Sequence, residues 1–216
     1  MIVEACVDSL ATAVAAEVCG AHRVEVCANL DKDGTTPSHG LVSMALERVA
    51  IPVFVMVRPS EGPFTYSADE IELMRRDVKH FRWLGAQGIV TGAITADGQV
   101  DSVAMAILID AAKDIPVTFH RAFDEVADPL AAIEELKGLG VARILTSGQH
   151  LTAWKGRKVL KKLREAAGHG ISIVAAGGIK GAHVAKLVAA SGVEEIHLRA
   201  TGPERLPKVL AALDGH

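Results

Sequence analysis

The sequence predicts an α/β protein that folds as a single (β/α)8 barrel of the TIM type. Three observations support this fold class. Short β-rich runs alternate with longer amphipathic helical runs along all 216 residues. The strands are filled with Val, Ile, Leu and Ala, as expected when helices cover a parallel sheet. Eight such units in this length suit a closed barrel near its lower size limit.

An open, doubly wound sheet is the alternative, but the first strand lacks the glycine-rich turn of a dinucleotide-binding fold. The predicted strands are Ile2–Cys6, Arg23–Cys27, Pro52–Arg58, Gly88–Gly92, Val117–Arg121, Ala142–Ser147, Ser172–Ala176 and Glu195–Arg199. The clearest predicted helices are Ala68–Leu84, Asp128–Leu139 and Ala153–Ala167. Across the chain, the predicted helix N-caps are Asp8 or Ser9, Ser38, Asp101, Asp128 and Thr152. No linker or low-complexity tract interrupts the pattern, so residues 1–216 are predicted to form one domain.

Composition and charge exclude several classes of protein. The net charge of −3 and the absence of a basic cluster argue against nucleic-acid binding. No apolar run reaches the roughly 18–20 residues that a membrane span needs, and the N-terminal residues do not resemble a secretory signal. Three cysteines do not form a disulfide framework. We therefore expect a reduced, cytoplasmic protein.

Alternation along the strands places an unusual set of side chains on the barrel axis. Apolar residues such as Val3 and Ala5 face the helices, so their neighbours must face inward. The predicted inward set is Glu4, Cys6, Glu25, Cys27, Arg58, His120, His197 and Arg199. Burying such groups costs several kcal/mol each unless they are paired or solvated. The set is either a functional site or an ion-pair network in which Glu4 and Glu25 pair with Arg58 or Arg199.

Two cysteines are the candidate metal ligands. Val3-Glu4-Ala5-Cys6 and Val24-Glu25-Val26-Cys27 are similar sequences on adjacent strands, about 4.8 Å apart. Two thiolates form a soft site that selects Cu(I). From the residues alone, two small buried hydrophobic side chains are the more common outcome. The third cysteine, Cys19, lies late in the first helix and is predicted to be part of the core.

Other residues point to acid–base and anion-binding chemistry. His120 ends the fifth strand in a polar turn and could move protons together with Glu4 or Glu25. Arg58 and Arg121 could position an anion. Thr146-Ser147-Gly148 and Gly177-Gly178 follow late strands, where barrels often bind phosphate, although glycine is common in such turns for steric reasons. No inward lysine ends a strand, which disfavours a Schiff-base aldolase.

Taken in order, several short motifs resemble the CutC family of copper homeostasis proteins. The motifs are Val24-Glu25-Val26-Cys27, Gly34-Thr35-Thr36-Pro37-Ser38, Val57-Arg58-Pro59, Phe64-Thr65-Tyr66-Ser67, Val90-Thr91-Gly92, Thr118-Phe119-His120-Arg121-Ala122-Phe123-Asp124 and Leu145-Thr146-Ser147-Gly148. The resemblance implies a cytoplasmic (β/α)8 barrel that forms homodimers or homotetramers. It also implies copper handling, with Cys6 and Cys27 as Cu(I) ligands and no organic cofactor.

The sequence is compatible with two main functions and does not decide whether the protein is an enzyme. The first is a copper-binding homeostasis protein, which the family resemblance favours. The second is an enzyme acting on a small anionic or phosphorylated metabolite, with Glu4, Glu25 and His120 as acid–base groups. An inactive barrel that serves as an interaction scaffold is a third alternative.

Overall fold

The computed structural model describes residues 1–200 and 204–214, and within them eight strands alternate with eight helices. Each strand pairs in parallel with its sequence neighbours, and β8 closes onto β1. The predicted (β/α)8 barrel is confirmed. Among these residues, no helix is both long enough and apolar enough to cross a bilayer.

The strands are β1 (Ile2–Val7), β2 (Arg23–Val26), β3 (Val53–Met56), β4 (Gly88–Thr91), β5 (Val117–Phe119), β6 (Arg143–Thr146), β7 (Ser172–Ala175) and β8 (Glu195–Arg199). The helices are α1 (Leu10–Val18), α2 (His39–Arg48), α3 (Ala68–Leu84), α4 (Ser102–Ala112), α5 (Pro129–Gly138), α6 (Ala153–Ala167), α7 (Val184–Ser191) and α8 (Arg205–Asp214).

Two strands end two residues earlier than predicted, and four others end one residue earlier. β3 ends at Met56, so Arg58 lies just beyond the strand, and β5 ends at Phe119. Arg121 therefore lies outside β5 and begins a short 3₁₀ helix, Arg121–Glu125. The change of direction is stabilised by His120, whose Nδ1 accepts a hydrogen bond from the Ala122 amide at 3.2 Å. The polar residues that follow β5 thus turn across the top of the barrel.

Side-chain caps fix the starts of the helices. Ser9, Ser38, Asp101, Asp128 and Thr152 each accept a hydrogen bond from a first-turn amide, as predicted. Ser9, not Asp8, is the N-cap of α1. The prediction for Cys19 is wrong, because Cys19 is the C-cap of α1 and its side chain is exposed. The buried face of this short helix is formed by Ala13 and Ala16.

The largest hydrophobic core lies between the barrel and its helices. It contains the helix-facing Val and Ile residues of the strands and the apolar faces of the helices. Residues inside the barrel form smaller clusters, one of which holds Cys6, Cys27, Leu30, Phe54, Met56 and Val90. The outer core therefore holds the fold together, and the barrel interior has room for polar side chains.

Near the N-terminal ends of the strands, an aromatic ring fills the interior of the barrel. The Phe54 ring lies between two guanidinium groups, with Arg143 at 4.3 Å and Arg23 at 4.7 Å from its centroid. Gly88, the register partner of Phe54 on β4, makes room for it. A Cβ atom at position 88 would lie 2.5 Å from two carbon atoms of the ring.

We expect Gly88→Ala to lower the free energy of unfolding by about 1–3 kcal/mol, because the ring is held between two arginines and cannot move aside cheaply. Urea denaturation measures this change. Gly138→Ala, at the end of α5, is the matched control. A Cβ there meets nothing within 4 Å, so the free energy of unfolding should stay level or rise by up to about 1 kcal/mol. Equal effects of the two substitutions would contradict the packing argument.

Candidate functional site

A cavity of about 480 Å³ opens at the carboxyl ends of the strands. Of the residues predicted from sequence, its wall includes Cys6, Glu25, Arg58, His120, Arg121, Gly177, Gly178, His197 and Arg199. Glu4, Cys27 and the turn Thr146–Gly148 do not line it. Most of the predicted inward set therefore converges on one space, at the end of the barrel where enzymes of this fold carry out their chemistry.

The two thiols are in direct contact. Cys6 Sγ lies 3.1 Å from Cys27 Sγ and 3.3 Å from Glu25 Oε1, and all three residues are buried. The contact follows from the register, since Cys6 pairs with Glu25 and Cys27 is the next inward position along the chain from Glu25. The Cys27 contact, burial and the nearby Glu25 charge raise the pKa of the Cys6 thiol well above its usual value. Without a bound cation, Cys6 is therefore protonated.

These three residues also form a cluster whose donor atoms all lie within 4.8 Å of one another. One oxygen of Glu25, Oε2, is buried and has no hydrogen-bond partner. Met56 was not predicted from sequence as a site residue; it packs with Cys6 and Cys27 in the hydrophobic cluster inside the barrel and also lines the cavity. Its signal was present, because Met56 occupies the inward face of β3 between Phe54 and Arg58.

Glu4 is locked into an ion-pair network below the thiols. It pairs with Arg23 and accepts a hydrogen bond from His197 Nδ1 at 2.7 Å, while Arg23 also binds Glu195 at 2.7 Å. Burial alone would raise the pKa of Glu4, but the His197 hydrogen bond and the Arg23 charge outweigh it and lower the pKa to about 2. The predicted network partners, Arg58 and Arg199, are not the ones used. Arg23 lies on the same inward face as Glu25 and Cys27, so the alternation of inward and outward side chains could have identified it.

Glu25 is in a different electrostatic environment, although it lies only one strand away. It makes no ion pair with an arginine, and its Oε2 lies 3.8 Å from His197 Nδ1. Burial raises the pKa of Glu25 to about 7, against the lowering effect of the His197 charge. Burial would lower the pKa of His197, but the Glu25 and Glu4 charges raise it. The carboxyl group of Glu4 is therefore ionised, and that of Glu25 titrates near neutrality.

Arg58 and His120 also line the cavity, beyond the ends of β3 and β5. Arg58 is 4 % exposed and donates to the carbonyl groups of Lys32, Gly34 and Gly62 at 2.9–3.1 Å. His120 is 3 % exposed, and burial together with the Arg58 charge lowers its pKa to about 3. Phe64, which the sequence analysis did not single out as a site residue, contacts both side chains. The imidazole is therefore neutral at physiological pH.

The turn after β6, predicted to bind phosphate, is already occupied by an internal carboxylate. Asp124 accepts hydrogen bonds from Thr146 Oγ1, the Ser147 amide and hydroxyl, and the Gln149 amide at 2.6–3.0 Å. The Gly148 amide donates to Thr146 Oγ1, and Arg121 Nε pairs with Asp124 at 2.8 Å. An external anion would have to displace Asp124 to use these donors.

The turn after β7 is more open to a ligand. Gly177 and Gly178 both have positive φ, at 93° and 67°, and both line the cavity. A Cβ on Gly177 would lie 3.2 Å from the Cβ of Ser147, so glycine allows the two turns to pack closely. On the far rim, Arg199 pairs with Asp33. The groups predicted to bind an anion thus differ in whether a ligand can use them. Arg121 and Arg199 already form ion pairs with aspartates, whereas Gly177 and Gly178 border the open cavity.

Comparisons with known proteins agree on one family. The CutC family model matches residues 1–202. A human protein named copper homeostasis protein cutC homolog is 44 % identical over 199 residues, which is 92 % of this chain and 73 % of that protein. A family protein CutC from Xanthomonas campestris pv. campestris (strain B100) is 44 % identical over 94 % of this chain and 85 % of its own length.

Solved structures show the same relationship. A crystal structure of a CutC protein from Streptococcus agalactiae superposes with a TM-score of 0.88 at 31 % identity, covering 93 % of this chain and all of that one. Thiamine phosphate pyrophosphorylase from Pyrococcus furiosus has a TM-score of 0.69 at 13 % identity, over 99 % of this chain and 96 % of that one. At that identity the second likeness concerns the fold alone.

We expect the free energy of unfolding to fall between pH 6.5 and about pH 3 because of His120. The unfolded chain protonates this imidazole near pH 6.5, but the folded chain resists protonation down to about pH 3. The stabilising effect is therefore complete above pH 6.5 and is lost on acidification by up to about 1.4 kcal/mol per pH unit. Urea denaturation of wild type and His120→Asn at several pH values isolates this effect.

Asn is the matched substitution, because its side-chain oxygen can still accept from the Ala122 amide and it does not titrate. Glu4 and Glu25 titrate in both proteins, so their contributions cancel in the difference. Parallel pH profiles for the two proteins would contradict the assignment of a neutral, buried His120.

Proposed function

The chain belongs to the CutC family, whose human member is named a copper homeostasis protein, and we propose that it serves copper homeostasis by binding one Cu(I) ion between Cys6 and Cys27. The observation that carries the proposal is the buried contact of 3.1 Å between the two sulfur atoms. Soft thiolates are the ligands that select Cu(I) over harder cations. Neither sulfur is committed to a disulfide.

The chemistry of the donor set fits this ion. Two thiols provide the primary ligands, and the Glu25 carboxyl lies beside them with one oxygen free of hydrogen bonds. The neighbouring Met56 adds a soft thioether to the same cluster. Glu4 is held in the ion-pair network with Arg23 and His197, so Glu25 is the carboxyl group that contacts the thiols.

The cavity supplies a route for the ion. Cys6 and Glu25 line it, whereas Cys27 lies behind Cys6 with no exposed surface. An incoming ion therefore meets Cys6 before Cys27. Because the environment raises the pKa of both thiols, binding must release their protons, and the affinity must rise with pH. Bound copper would join the ends of β1 and β2 through its two sulfur ligands and would not need a reaction partner.

A second function, that of an enzyme acting on a small anionic or phosphorylated metabolite, is supported by the shared location of Glu25 and His120 in the cavity wall. In this function these two groups would move protons, and Arg58, Arg121, Gly177 and Gly178 would contact the substrate. Glu4 would act indirectly by orienting His197, since it does not line the cavity. The turn Thr146–Gly148 would contribute only if Asp124 moved away.

The cellular setting and assembly are part of the same proposal. The family resemblance implies a cytoplasmic protein and a homodimer or homotetramer. Buried, unpaired thiols are compatible with a reducing compartment. The large apolar side chain of Trp83 on α3 is 77 % exposed, which is consistent with a contact between copies.

We expect the reduced protein to take up about one Cu(I) per chain and to lose this uptake when either Cys6 or Cys27 is replaced by serine. Removing a ligand should weaken affinity by more than the roughly 10–100-fold that loss of a ligand-orienting residue costs. Competition with a colorimetric Cu(I) chelator measures both stoichiometry and affinity. Cys19→Ser is the matched control, because Cys19 is exposed and remote from the cluster, and it should bind Cu(I) like the wild type. Unchanged tight uptake in both Cys6→Ser and Cys27→Ser would refute the proposal.

We also expect Met56→Leu to weaken Cu(I) binding by a smaller factor than either serine substitution. Leucine conserves the volume of the side chain and removes only the thioether. The same chelator competition measures this change, with urea denaturation as a control for folding. An affinity equal to that of the wild type would exclude Met56 from the donor set and leave the two cysteines as its soft ligands.

A further inference from the structure

Arg58 is a buried cation with no carboxylate partner among the described residues. Its terminal nitrogens donate to three carbonyl groups, those of Lys32, Gly34 and Gly62. Its Nε is buried and makes no hydrogen bond to the described residues, while the Tyr66 hydroxyl, which also lacks a partner among them, lies near the Arg58 guanidinium. Arg121 and Arg199, which also line the cavity, are each paired with an aspartate. A buried charge without a counterion is costly, and carbonyl dipoles compensate it only in part.

His120, which also belongs to the cavity wall, carries a second unused donor. Its Nδ1 accepts a hydrogen bond from the Ala122 amide at 3.2 Å, so the neutral ring carries its proton on Nε2. Nε2 is buried and has no hydrogen-bond partner in the part of the chain that the structure describes. Leaving such a donor unsatisfied in a buried position is unfavourable. A ligand that accepts a hydrogen bond there would recover that free energy.

Phe64 brings the two donors to the same wall. The Arg58 guanidinium lies 4.7 Å from the centroid of the Phe64 ring, and the centroid of the His120 ring lies 4.8 Å from that same centroid. Gly92 keeps the position of His120 possible, because a Cβ there would lie 2.7 Å from His120 Nδ1. The two side chains are thus held in place by packing, and a ligand would find them already oriented.

The chemistry of the missing partner follows from these two groups. Both unused atoms are donors and one belongs to an uncompensated cation, so the ligand must offer acceptor oxygens and negative charge. The rest of the wall includes Leu30, Met56, Leu145 and Ile179, which would pack against an apolar body. A small carboxylate or phosphate ester satisfies both requirements, and a neutral amide does not.

We infer that the cavity holds a binding site for a small oxyanion, a carboxylate or a phosphate, whose oxygens accept hydrogen bonds from Arg58 Nε and His120 Nε2. The site is independent of copper binding, since neither residue belongs to the thiol cluster. It deepens the second proposed function by naming the groups that recognise the substrate. In that function Arg58 and His120 bind the anion, which leaves proton transfer to Glu25, and Arg121 contacts the substrate while it stays paired with Asp124.

The test is a titration of the copper-free, reduced protein by calorimetry with benzoate, benzamide and inorganic phosphate. Benzoate and benzamide have the same shape and differ in charge, and phosphate separates carboxylate from phosphate recognition. We expect benzoate or phosphate to bind with a Kd below about 10 mM and benzamide to bind at least about tenfold more weakly. The ¹⁵N resonance of His120 Nε2 should shift on binding and identify the contact directly.

Two variants test the assigned donors. His120→Asn keeps an acceptor for the Ala122 amide but removes the Nε2 donor, and Arg58→Lys keeps the charge but removes the Nε donor. Each should raise the Kd of the anion by about tenfold or more. Arg76→Gln, which removes a guanidinium that is 73 % exposed and paired with Glu72, is the control and should leave the Kd unchanged.

The outcomes separate this inference from the two proposed functions. Anion binding that persists in Cys6→Ser and Cys27→Ser supports an independent site, whatever becomes of copper binding. Anion binding without turnover would support the site and count against the enzyme. The inference fails if neither anion binds below about 10 mM, if benzamide binds as tightly as benzoate, or if both donor variants bind like the wild type.

Discussion

The buried pairing of Arg23 with Glu4 and Glu195 is the interaction on which the rest of the barrel interior depends. It joins β1, β2 and β8 below the cavity, between residues as far apart in sequence as 23 and 195. Removing one partner of such a network would leave a buried charge without compensation, which lowers the free energy of unfolding by roughly 3–5 kcal/mol. The network also fixes Glu4 as an ionised carboxylate that orients His197.

That fixed arrangement determines how the next layer of the barrel behaves. Arg23 is committed to Glu4 and Glu195, so Glu25 has no arginine partner, and its pKa is raised to about 7. Glu25 then contacts Cys6, which contacts Cys27. Two carboxyl groups on neighbouring strands therefore have different roles, one as part of the structural network and one beside the thiols. Environment distinguishes them, because their residue type is the same.

The mouth of the barrel combines two kinds of chemistry in one cavity. The thiols and Met56 form a soft group that favours a soft cation, and Arg58 with His120 forms a group of hydrogen-bond donors that favours an oxyanion. The Asp124 carboxylate already occupies the donors of the turn after β6. The groups that remain unused are therefore more informative about ligands than the total number of polar residues in the wall.

The sequence alone determined the fold and the inward-facing set of side chains, because both depend on local periodicity. Alternation with a period of two identified Glu4, Cys6, Glu25 and Cys27, and the order of strands and helices implied a closed parallel barrel. The same rule extended by two residues would have identified Arg23. Only the tertiary structure decided which inward groups meet, because register, barrel closure and the turn at His120 set those distances. Thus the partners of Glu4 and the occupation of the turn after β6 by Asp124 were not accessible from local sequence, since each joins segments that meet only when the barrel forms.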